Sequence, residues 1–418
     1  MRAKAPFDAP GQGSRRARAM LPAGALLAEA AAMEDRTRIP LQSLLDNVET
    51  DAAEAARIRP VRWKPMPTRA RGRGAPHAGA ASPRQAVALP RHVQIEPVGQ
   101  CNLRCAMCPI ELRPESEPGR PPAHMPPAVF RRLVDAFGAI DELHLQGLGE
   151  PLLHPQFFEL VAYAARRGIK VSTNTNMTLM TEARAAACVA SGLHDLHVSL
   201  DAATAATFEA IRRRASFRKV LRNLRRLMAA RAVSSSALPH VHLVAVAMRR
   251  NLDQLPALVR LAHAEGAESL SVQHLCHDFA ESALPERYRP MRAFVEAETL
   301  LGEERAKVEA AFGAARAEAG RLGVPLRLPS IGVPRHADDA PRRTRCDSPW
   351  RSAYVSHDGQ AMPCCMVATP DRASFGNMAE EGVAAVWGND AYRSFRDALE
   401  SAEPPDVCRG CAVYRGTF

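Results

Sequence analysis

Residues 92–108 read HVQIEPVGQCNLRCAMC, and this stretch decides how the chain folds. The apolar alternation of His92–Glu96 is typical of a short β-strand. Three cysteines follow it at once, Cys101, Cys105 and Cys108. Their spacing on one tight loop lets three sulfur atoms converge on one centre. Three thiolates suit an iron–sulfur cluster that lacks one protein ligand, whereas a zinc site normally requires a fourth ligand close at hand.

Downstream of this loop, short apolar strands alternate with amphipathic segments of helical length. The predicted strands are His92–Glu96, Glu142–Leu148, Lys170–Asn174, Asp195–Leu200, His240–Ala247 and Ser269–Leu275. The predicted helices are Pro126–Phe137, Pro155–Arg167, Thr181–Ser191, Thr204–Arg213 continuing to Arg231, and Leu252–Glu265. Such alternation predicts an α/β fold with a parallel sheet. A closed eight-stranded barrel needs about 250 residues, so residues 91–290 fit a partial (β/α)6 TIM-like barrel better.

Two further regions follow the predicted barrel. Residues 291–345 are expected to be a helical connector, with long amphipathic helices over Arg292–Leu322 and a strand at Val324–Leu328. Residues 346–418 form a small cysteine-rich unit with a helix near Glu381–Leu399. This unit is too short to hold a large hydrophobic core, so we expect a bound metal to stabilise it.

The basic charge of the chain is concentrated at its N-terminus. The 418 residues carry a formal net charge of +10, and residues 1–90 hold 15 basic against eight acidic side chains. Residues 1–90 lack a sustained hydrophobic period, so we expect a mostly disordered basic extension, with a short helix at Leu41–Ala56. No run of eighteen apolar residues is present to span a membrane, and ten cysteines are too few for a disulfide scaffold.

Four cysteines near the C-terminus form a second set: Cys346, Cys364, Cys408 and Cys411. They can close a site completely, as structural zinc or a four-thiolate cluster requires. Cys365 neighbours Cys364 and is an alternative ligand. Cys188 lies in an alanine-rich helix and is most simply a small core residue.

The Cx3CxxC motif of Cys101, Cys105 and Cys108 resembles that of the radical S-adenosylmethionine (SAM) enzymes. The resemblance covers residues 91–290 and implies a partial barrel with the motif after its first strand. It also implies that the three cysteines bind a [4Fe–4S] cluster whose open iron is chelated by exchangeable SAM. Electron transfer into the sulfonium would then release methionine and a 5′-deoxyadenosyl radical that abstracts hydrogen from the substrate.

The same resemblance implies a set of SAM contacts at the strand ends. These are Met107, Gly149, Glu150, Pro151, Ser172, Asn174, Asn176, Ser199, Asp201 and Arg212. In particular, the Glu150 carboxylate is expected to accept from the SAM ammonium group, and Arg212 to pair with the SAM carboxylate. Two alternatives stay open, because Asp201 is equally suited to capping a helix and Arg212 to being a solvated helix charge.

The pattern C-x12-G-x4-C, with Gly359, followed by CxxC resembles the SPASM and twitch extensions of radical SAM enzymes. It implies one auxiliary [4Fe–4S] cluster held by Cys346, Cys364, Cys408 and Cys411. The full SPASM pattern has more cysteines after CxxC, so a twitch-type, one-cluster unit is expected. The spacing from Gly359 favours Cys364 over Cys365.

Cys276 follows the last predicted barrel strand beside His274 and His277. One of these side chains is a candidate for touching substrate or moving a proton, and both histidines are candidate catalytic residues. The alternative is that local hydrogen bonds satisfy them.

The resemblance implies a radical SAM oxidoreductase or maturase. We expect it to act on a peptide or small natural-product substrate, with the auxiliary cluster handling the substrate electron. A reductant such as flavodoxin or ferredoxin and a cytoplasmic location follow from oxygen-sensitive clusters. Two other hypotheses are a non-catalytic two-cluster electron-transfer protein and a zinc-ribbon protein that binds nucleic acid. The second lacks support because aromatic residues are only 5% of the chain and no basic, aromatic-interleaved patch occurs.

Overall fold

The computed structural model describes residues 87–117, 119–331 and 345–417. All of them belong to one compact unit, residues 60–418. The expected extension, including the helix at Leu41–Ala56, lies outside the described residues except for positions 87–90. Among the described helices, none is long and apolar enough to cross a membrane.

The described residues alternate between strands and helices as the sequence predicts. The strands are β1 (His92–Ile95), β2 (Arg104–Cys105), β3 (Glu142–Leu145), β4 (Lys170–Thr175), β5 (Asp195–Ser199), β6 (Arg212–Arg213), β7 (His240–Val246), β8 (Ser269–Gln273), β9 (Leu326–Arg327), β10 (Ser352–Val355) and β11 (Ala361–Met362). The helices are α1 (Pro127–Phe137), α2 (Phe157–Ala165), α3 (Glu182–Ala190), α4 (Ala205–Ile211), α5 (Phe217–Val233), α6 (Leu255–Ala264), α7 (Arg289–Glu298), α8 (Arg305–Leu322), α9 (Ser348–Arg351), α10 (Met378–Glu381), α11 (Val383–Trp387), α12 (Asp390–Glu400), α13 (Asp406–Arg409) and α14 (Ala412–Arg415).

One large sheet organises the molecule, in the order β11-β10-β1-β3-β4-β5-β7-β8-β9 among the described strands. Every neighbouring pair is parallel except β10 and β11. The six predicted barrel strands are β1, β3, β4, β5, β7 and β8, which stand side by side in that order. The expected α/β class and open, partial barrel are therefore confirmed. Parallel strands place their carboxyl ends, and the loops that follow, at one edge of the sheet.

The sheet also joins the barrel to the C-terminal unit. β10 pairs in parallel with β1, with His92 opposite Ser352 and Ile95 opposite Val355. Buried side chains of both regions, such as Leu145 and Phe375, belong to one hydrophobic core cluster. The C-terminal unit therefore shares the core of the barrel, and the expectation that a metal also holds it together stays a prediction.

Two predicted helices are broken in the structure. The segment from Thr204 to Arg231 is not continuous, because Arg212–Arg213 leaves the helix and pairs antiparallel with Arg104–Cys105. Arg214 then takes a positive φ of 72° before α5 begins. The predicted helix at Glu381–Leu399 is instead α10, α11 and α12, and the break between the first two lies at Gly382, whose φ is 94°.

The two faces of the sheet differ in chemistry. Leu143 and Leu196 lie on the fully buried apolar face. His144, His197 and His242 lie on the opposite, polar face, where the His197 ring stacks on His242 with 5.2 Å between ring centroids. Burial and the neighbouring imidazoles lower the pKa of His197 to about 4. The His197 imidazole is therefore neutral at pH 7.

The packing of α6 against α8 leads to a stability prediction. Leu258 in α6 is fully buried, whereas Leu301, just before α8, is 37% exposed. Leu258→Ala should lower the free energy of unfolding by about 2–5 kcal/mol, because it leaves a cavity in the core. The same change at Leu301 should have little effect. Urea unfolding of the iron-free protein measures both, and equal losses would contradict the packing described.

Candidate functional site

The loop after β1 brings three thiols together at the carboxyl edge of the sheet. Cys105 is buried, and Cys101 and Cys108 are partly buried. Cys105 lies in β2, which pairs with β6, so the loop is tied to the chain more than a hundred residues away. Burial, followed by the negative charge of neighbouring groups, raises the pKa of Cys101 and of Cys108 to about 12. Free thiols here would stay protonated, and a metal must displace those protons on binding.

Hydrogen-bond donors surround the sulfur atoms of this loop. The Leu103 amide lies 3.4 Å from Cys101 Sγ, and Asn176 Nδ2 lies 3.8 Å from the same atom. Arg212 Nη1 lies 4.0 Å from Cys105 Sγ. Donors of this kind stabilise thiolates that bind an iron–sulfur cluster and tune its potential. The donor set therefore fits a three-thiolate cluster.

Arg212 and Asp201 form a buried ion pair beside the cysteine loop. Arg212 Nε lies 2.7 Å from Asp201 Oδ2, and their side chains are 10% and 0% exposed. Asp201 Oδ1 also accepts from the Val246 amide at 2.9 Å. Thr204, not Asp201, stands at the N-cap of α4. The alternatives of a helix cap and of a solvated helix charge are therefore both excluded.

The loop after β3 approaches the cysteine loop through a glycine. A Cβ added to Gly149 would lie 2.0 Å from the Val98 carbonyl oxygen, so only glycine fits without backbone movement. Glu150 follows, and its carboxylate accepts from Thr175 Oγ1 at 2.6 Å and from the Asn176 amide at 2.8 Å. Burial raises the pKa of Glu150. Glu150 thus fastens the loop after β3 to the end of β4.

The remaining predicted SAM contacts differ in their position along the strands, and only some of them lie at the carboxyl ends. Asn176 follows β4 and is buried beside Cys101, Pro151 begins a buried 3-10 turn, and Met107 is partly buried in the cysteine loop. Ser199 ends β5. Ser172 and Asn174 lie inside β4 and not on the loop after it, because the strand continues to Thr175. Ser172 Oγ lies 2.8 Å from His144 Nδ1, which corrects its expected position at the strand end.

The second set of cysteines gathers at the C-terminal unit. Burial raises the pKa of the Cys364 thiol, and the charges of Cys365, Cys411, Cys346 and Cys408 raise it further. The Cys411 backbone amide donates a hydrogen bond to the Cys408 carbonyl at 3.1 Å. Cys365 is exposed to solvent. Cys188 is fully buried in the core, as predicted.

The two candidate catalytic histidines differ in their surroundings. His277 Nε2 lies 2.6 Å from the Val407 carbonyl, and Nδ1 accepts from the Phe279 amide at 2.8 Å. Both ring nitrogens are occupied, so His277 anchors the loop after β8 to the C-terminal unit. His274 Nε2 lies 2.8 Å from the Ser330 carbonyl, whereas its buried Nδ1 has no hydrogen-bond partner among the described residues.

Sequence reasoning missed a buried polar junction at the end of β1. Glu96 is fully buried and pairs with Arg113, whose Nη2 lies 3.0 Å from Glu96 Oε1. Tyr354 Oη donates to the same oxygen at 2.9 Å, and His357 Nδ1 lies 3.8 Å from Oε2. The available signal was a carboxylate directly after the apolar strand residues Val93 and Ile95.

The Glu96 junction leads to a pH prediction. Burial alone would raise the pKa of Glu96, but Arg113 and His357 outweigh it and hold the pKa near 2, below its ordinary 4.5. Its stabilising contribution is therefore complete above about pH 4.5 and is lost as the pH falls towards 2. Glu96→Gln should destabilise the protein by about 3–5 kcal/mol at pH 7, and should flatten the loss of stability with acid.

Urea unfolding of the iron-free protein between pH 7 and pH 3 measures this effect. Glu142→Gln is the matched control, because that carboxylate is 52% exposed and its ion-pair partner among the described residues is His92 at the surface. An acid limb that is as steep in Glu96→Gln as in the unmodified protein would show that Glu96 is not the titrating group.

Comparisons with known proteins identify two families that the chain resembles. The model of the radical SAM superfamily matches residues 95–262, and that of an iron–sulfur cluster-binding domain, SPASM, matches residues 346–412. A PqqA peptide cyclase of Xanthomonas euvesicatoria is 29% identical, over 77% of this chain and 80% of the relative. An AdoMet-dependent heme synthase of Methanosarcina barkeri is 27% identical, over 77% and 91%.

The fold of this chain is similar to those of several solved structures. Streptococcus suis SuiB bound to precursor peptide SuiA superposes with a TM-score of 0.57 at 13% identity, covering 79% of this chain and 71% of that one. Native anSMEcpe with bound AdoMet gives a TM-score of 0.55 at 16% identity, over 78% and 87%.

Proposed function

The chain belongs to the radical SAM superfamily with a C-terminal SPASM domain, and from this premise we propose that it modifies a peptide by hydrogen abstraction. Its cofactors are SAM and iron–sulfur clusters, and it is an enzyme. The observation that supports the assignment of ligands is the difference between the two cysteine sets. Cys101, Cys105 and Cys108 leave one iron open at the barrel mouth, whereas the C-terminal set of four leaves none.

The residues around the first set suit the binding of SAM. Cys101, Cys105 and Cys108 would hold the cluster, and the reduced cluster with bound SAM would supply a 5′-deoxyadenosyl radical and methionine. Arg212, already 2.7 Å from Asp201, attracts the SAM carboxylate towards the cluster. Gly149 leaves room for the backbone to approach. Glu150 keeps the two loops in place and, as a carboxylate, offers an acceptor to the SAM ammonium group.

His274 is the candidate proton acceptor. It follows β8 at the carboxyl edge of the sheet, and its Nε2 is engaged with the Ser330 carbonyl. Nε2 must carry the proton to donate, so Nδ1 presents a free lone pair. Burial lowers the pKa of His274, which keeps the ring neutral at pH 7. A neutral imidazole with a free lone pair is able to take the proton that a substrate radical loses when it passes an electron onward.

A peptide is the proposed substrate class because of the relatives. The similar curated proteins include PqqA peptide cyclases, and SuiB was solved with a precursor peptide. An auxiliary cluster held by the C-terminal cysteines would accept the electron that the substrate radical loses. Because a heme synthase is also among the similar curated proteins, a small-molecule substrate is the second candidate. A flavodoxin or ferredoxin reductant and a cytoplasmic location stay predictions.

Iron content and SAM cleavage test the proposal. Anaerobically reconstituted protein should carry about eight irons and, when reduced with dithionite, should convert SAM to 5′-deoxyadenosine. Cys105→Ala should abolish cleavage and leave about half of the iron, because only the auxiliary cluster remains. Cys188→Ala is the matched control and should keep both, since Cys188 is a core residue. Zinc without iron, or intact SAM, would contradict the proposal.

A second experiment identifies the auxiliary ligand. Cys364→Ala should lose the auxiliary cluster, because the spacing from Gly359 favours Cys364 as the ligand. Cys365→Ala should keep it, since Cys365 does not fit that spacing. Iron analysis and the electron paramagnetic resonance spectrum of the reduced protein separate the two variants. The reverse result would make Cys365 the ligand.

A further inference from the structure

Two buried arginines hold consecutive carbonyl groups of the turn that follows Cys364. Arg113 Nη2 donates to the Ala368 carbonyl. Arg372 Nη1 donates to the Val367 carbonyl at 2.7 Å. Arg113 comes from the segment directly after the first cysteine set, whereas Arg372 belongs to the C-terminal unit itself. The turn after Cys364 is therefore hydrogen-bonded to a residue, Arg113, from the segment that follows the first cysteine set.

Glu96 fixes the position of Arg113. Glu96 Oε1 accepts a hydrogen bond from Arg113 Nη2 at 3.0 Å, and Oε2 accepts one from Nη1 at 3.3 Å. This two-point contact sets the plane of the guanidinium group. Arg113 is 2% exposed and Glu96 is 0% exposed. Solvent therefore does not compete for either side chain, and the pair is rigid.

Glu96 is also shared with the loop that carries Gly149 and Glu150. Its Oε1 accepts from the Leu148 amide at 3.1 Å. A Cβ added to Gly147 would lie 1.8 Å from that same oxygen, so the loop passes directly against the carboxylate. Tyr354 in β10 donates to it from the C-terminal unit. The pair thus contacts both loops of the first site and the strand that leads to the second.

We propose that Arg113, oriented by Glu96, is a positioning residue that sets the auxiliary-cluster turn against the loop of the SAM-binding cluster. It touches neither SAM nor iron in this role and acts through the Ala368 carbonyl. The inference rests on the proposed function, since it presupposes a cluster in each cysteine set. It predicts that a change in the first loop alters the surroundings of the other cluster.

The test observes the auxiliary cluster by itself. In full-length, iron-loaded protein carrying Cys105→Ala, the auxiliary cluster alone remains, and its reduced spectrum and midpoint potential are recorded. Adding Arg113→Lys should shift both, because lysine cannot bridge Glu96 and the Ala368 carbonyl with the same fork of donors. With Cys105 restored, Arg113→Lys should lower dithionite-driven SAM cleavage about 10-fold or more, as loss of outer-shell partners does.

Arg120→Lys is the matched control. Arg120 lies in the same segment, is 45% exposed and pairs with Glu117 on the surface, so its replacement should change neither readout. If Arg113→Lys does not fold, the double variant Glu96→Gln with Arg113→Met removes both charges together and retains a similar volume. It should show the same shift of the auxiliary spectrum.

Two failures are distinguishable. If the unmodified protein binds no iron or leaves SAM intact, the proposed function is wrong and the inference falls with it. If that protein loads both clusters and cleaves SAM, but the auxiliary spectrum and potential after Arg113→Lys, or after the double change, match those after Arg120→Lys, the inference alone is wrong.

Discussion

The ion pair between Glu96 and Arg113 is the interaction on which the site depends. Glu96 directly follows β1, the strand that pairs with β3 on one side and β10 on the other. A fully buried carboxylate is costly unless it is paired and hydrogen-bonded. Arg113, Tyr354 and the Leu148 amide meet this requirement together, and they come from three separate parts of the chain. Burial of one charge thereby brings the site's loops to one place.

The same low-polarity surroundings explain the chemistry of the cysteines. Burial raises the pKa of the thiols in both sets, so they are poor ligands until a metal replaces their protons. Donors from Asn176 and Arg212 near the first set offset part of that cost. The sites are thus arranged for occupied clusters, and iron loading should be closely coupled to stability of the loops.

Local chemistry explains what the sequence predicts well. The six barrel strands follow from apolar alternation, and the cysteine sets follow from spacing, because both depend on near neighbours along the chain. Helix breaks at Gly382 and at Gly388-Asn389 also had local turn signals. The break at Arg212–Arg213 had none, since it results from pairing with Arg104–Cys105.

Long-range contacts account for the remaining differences. Glu96 and Tyr354 are 258 positions apart, and neither segment contains a sequence pattern that predicts their hydrogen bond. His277 is a candidate catalytic residue because of its place after the last barrel strand, with local hydrogen bonding as the alternative. Its ring nitrogens are engaged by the Val407 carbonyl, from the C-terminal unit, and by the Phe279 amide, and the first of these contacts has no local sequence signal.

The central claim is that one of the two clusters has an open iron and the other does not. The most direct measurement is the electron paramagnetic resonance spectrum of the reduced, iron-loaded protein with and without SAM. One of the two cluster signals should change when SAM is added, and the other should stay the same. A spectrum that is unaffected by SAM, or one in which both signals change alike, would contradict the assignment of a three-thiolate and a four-thiolate site.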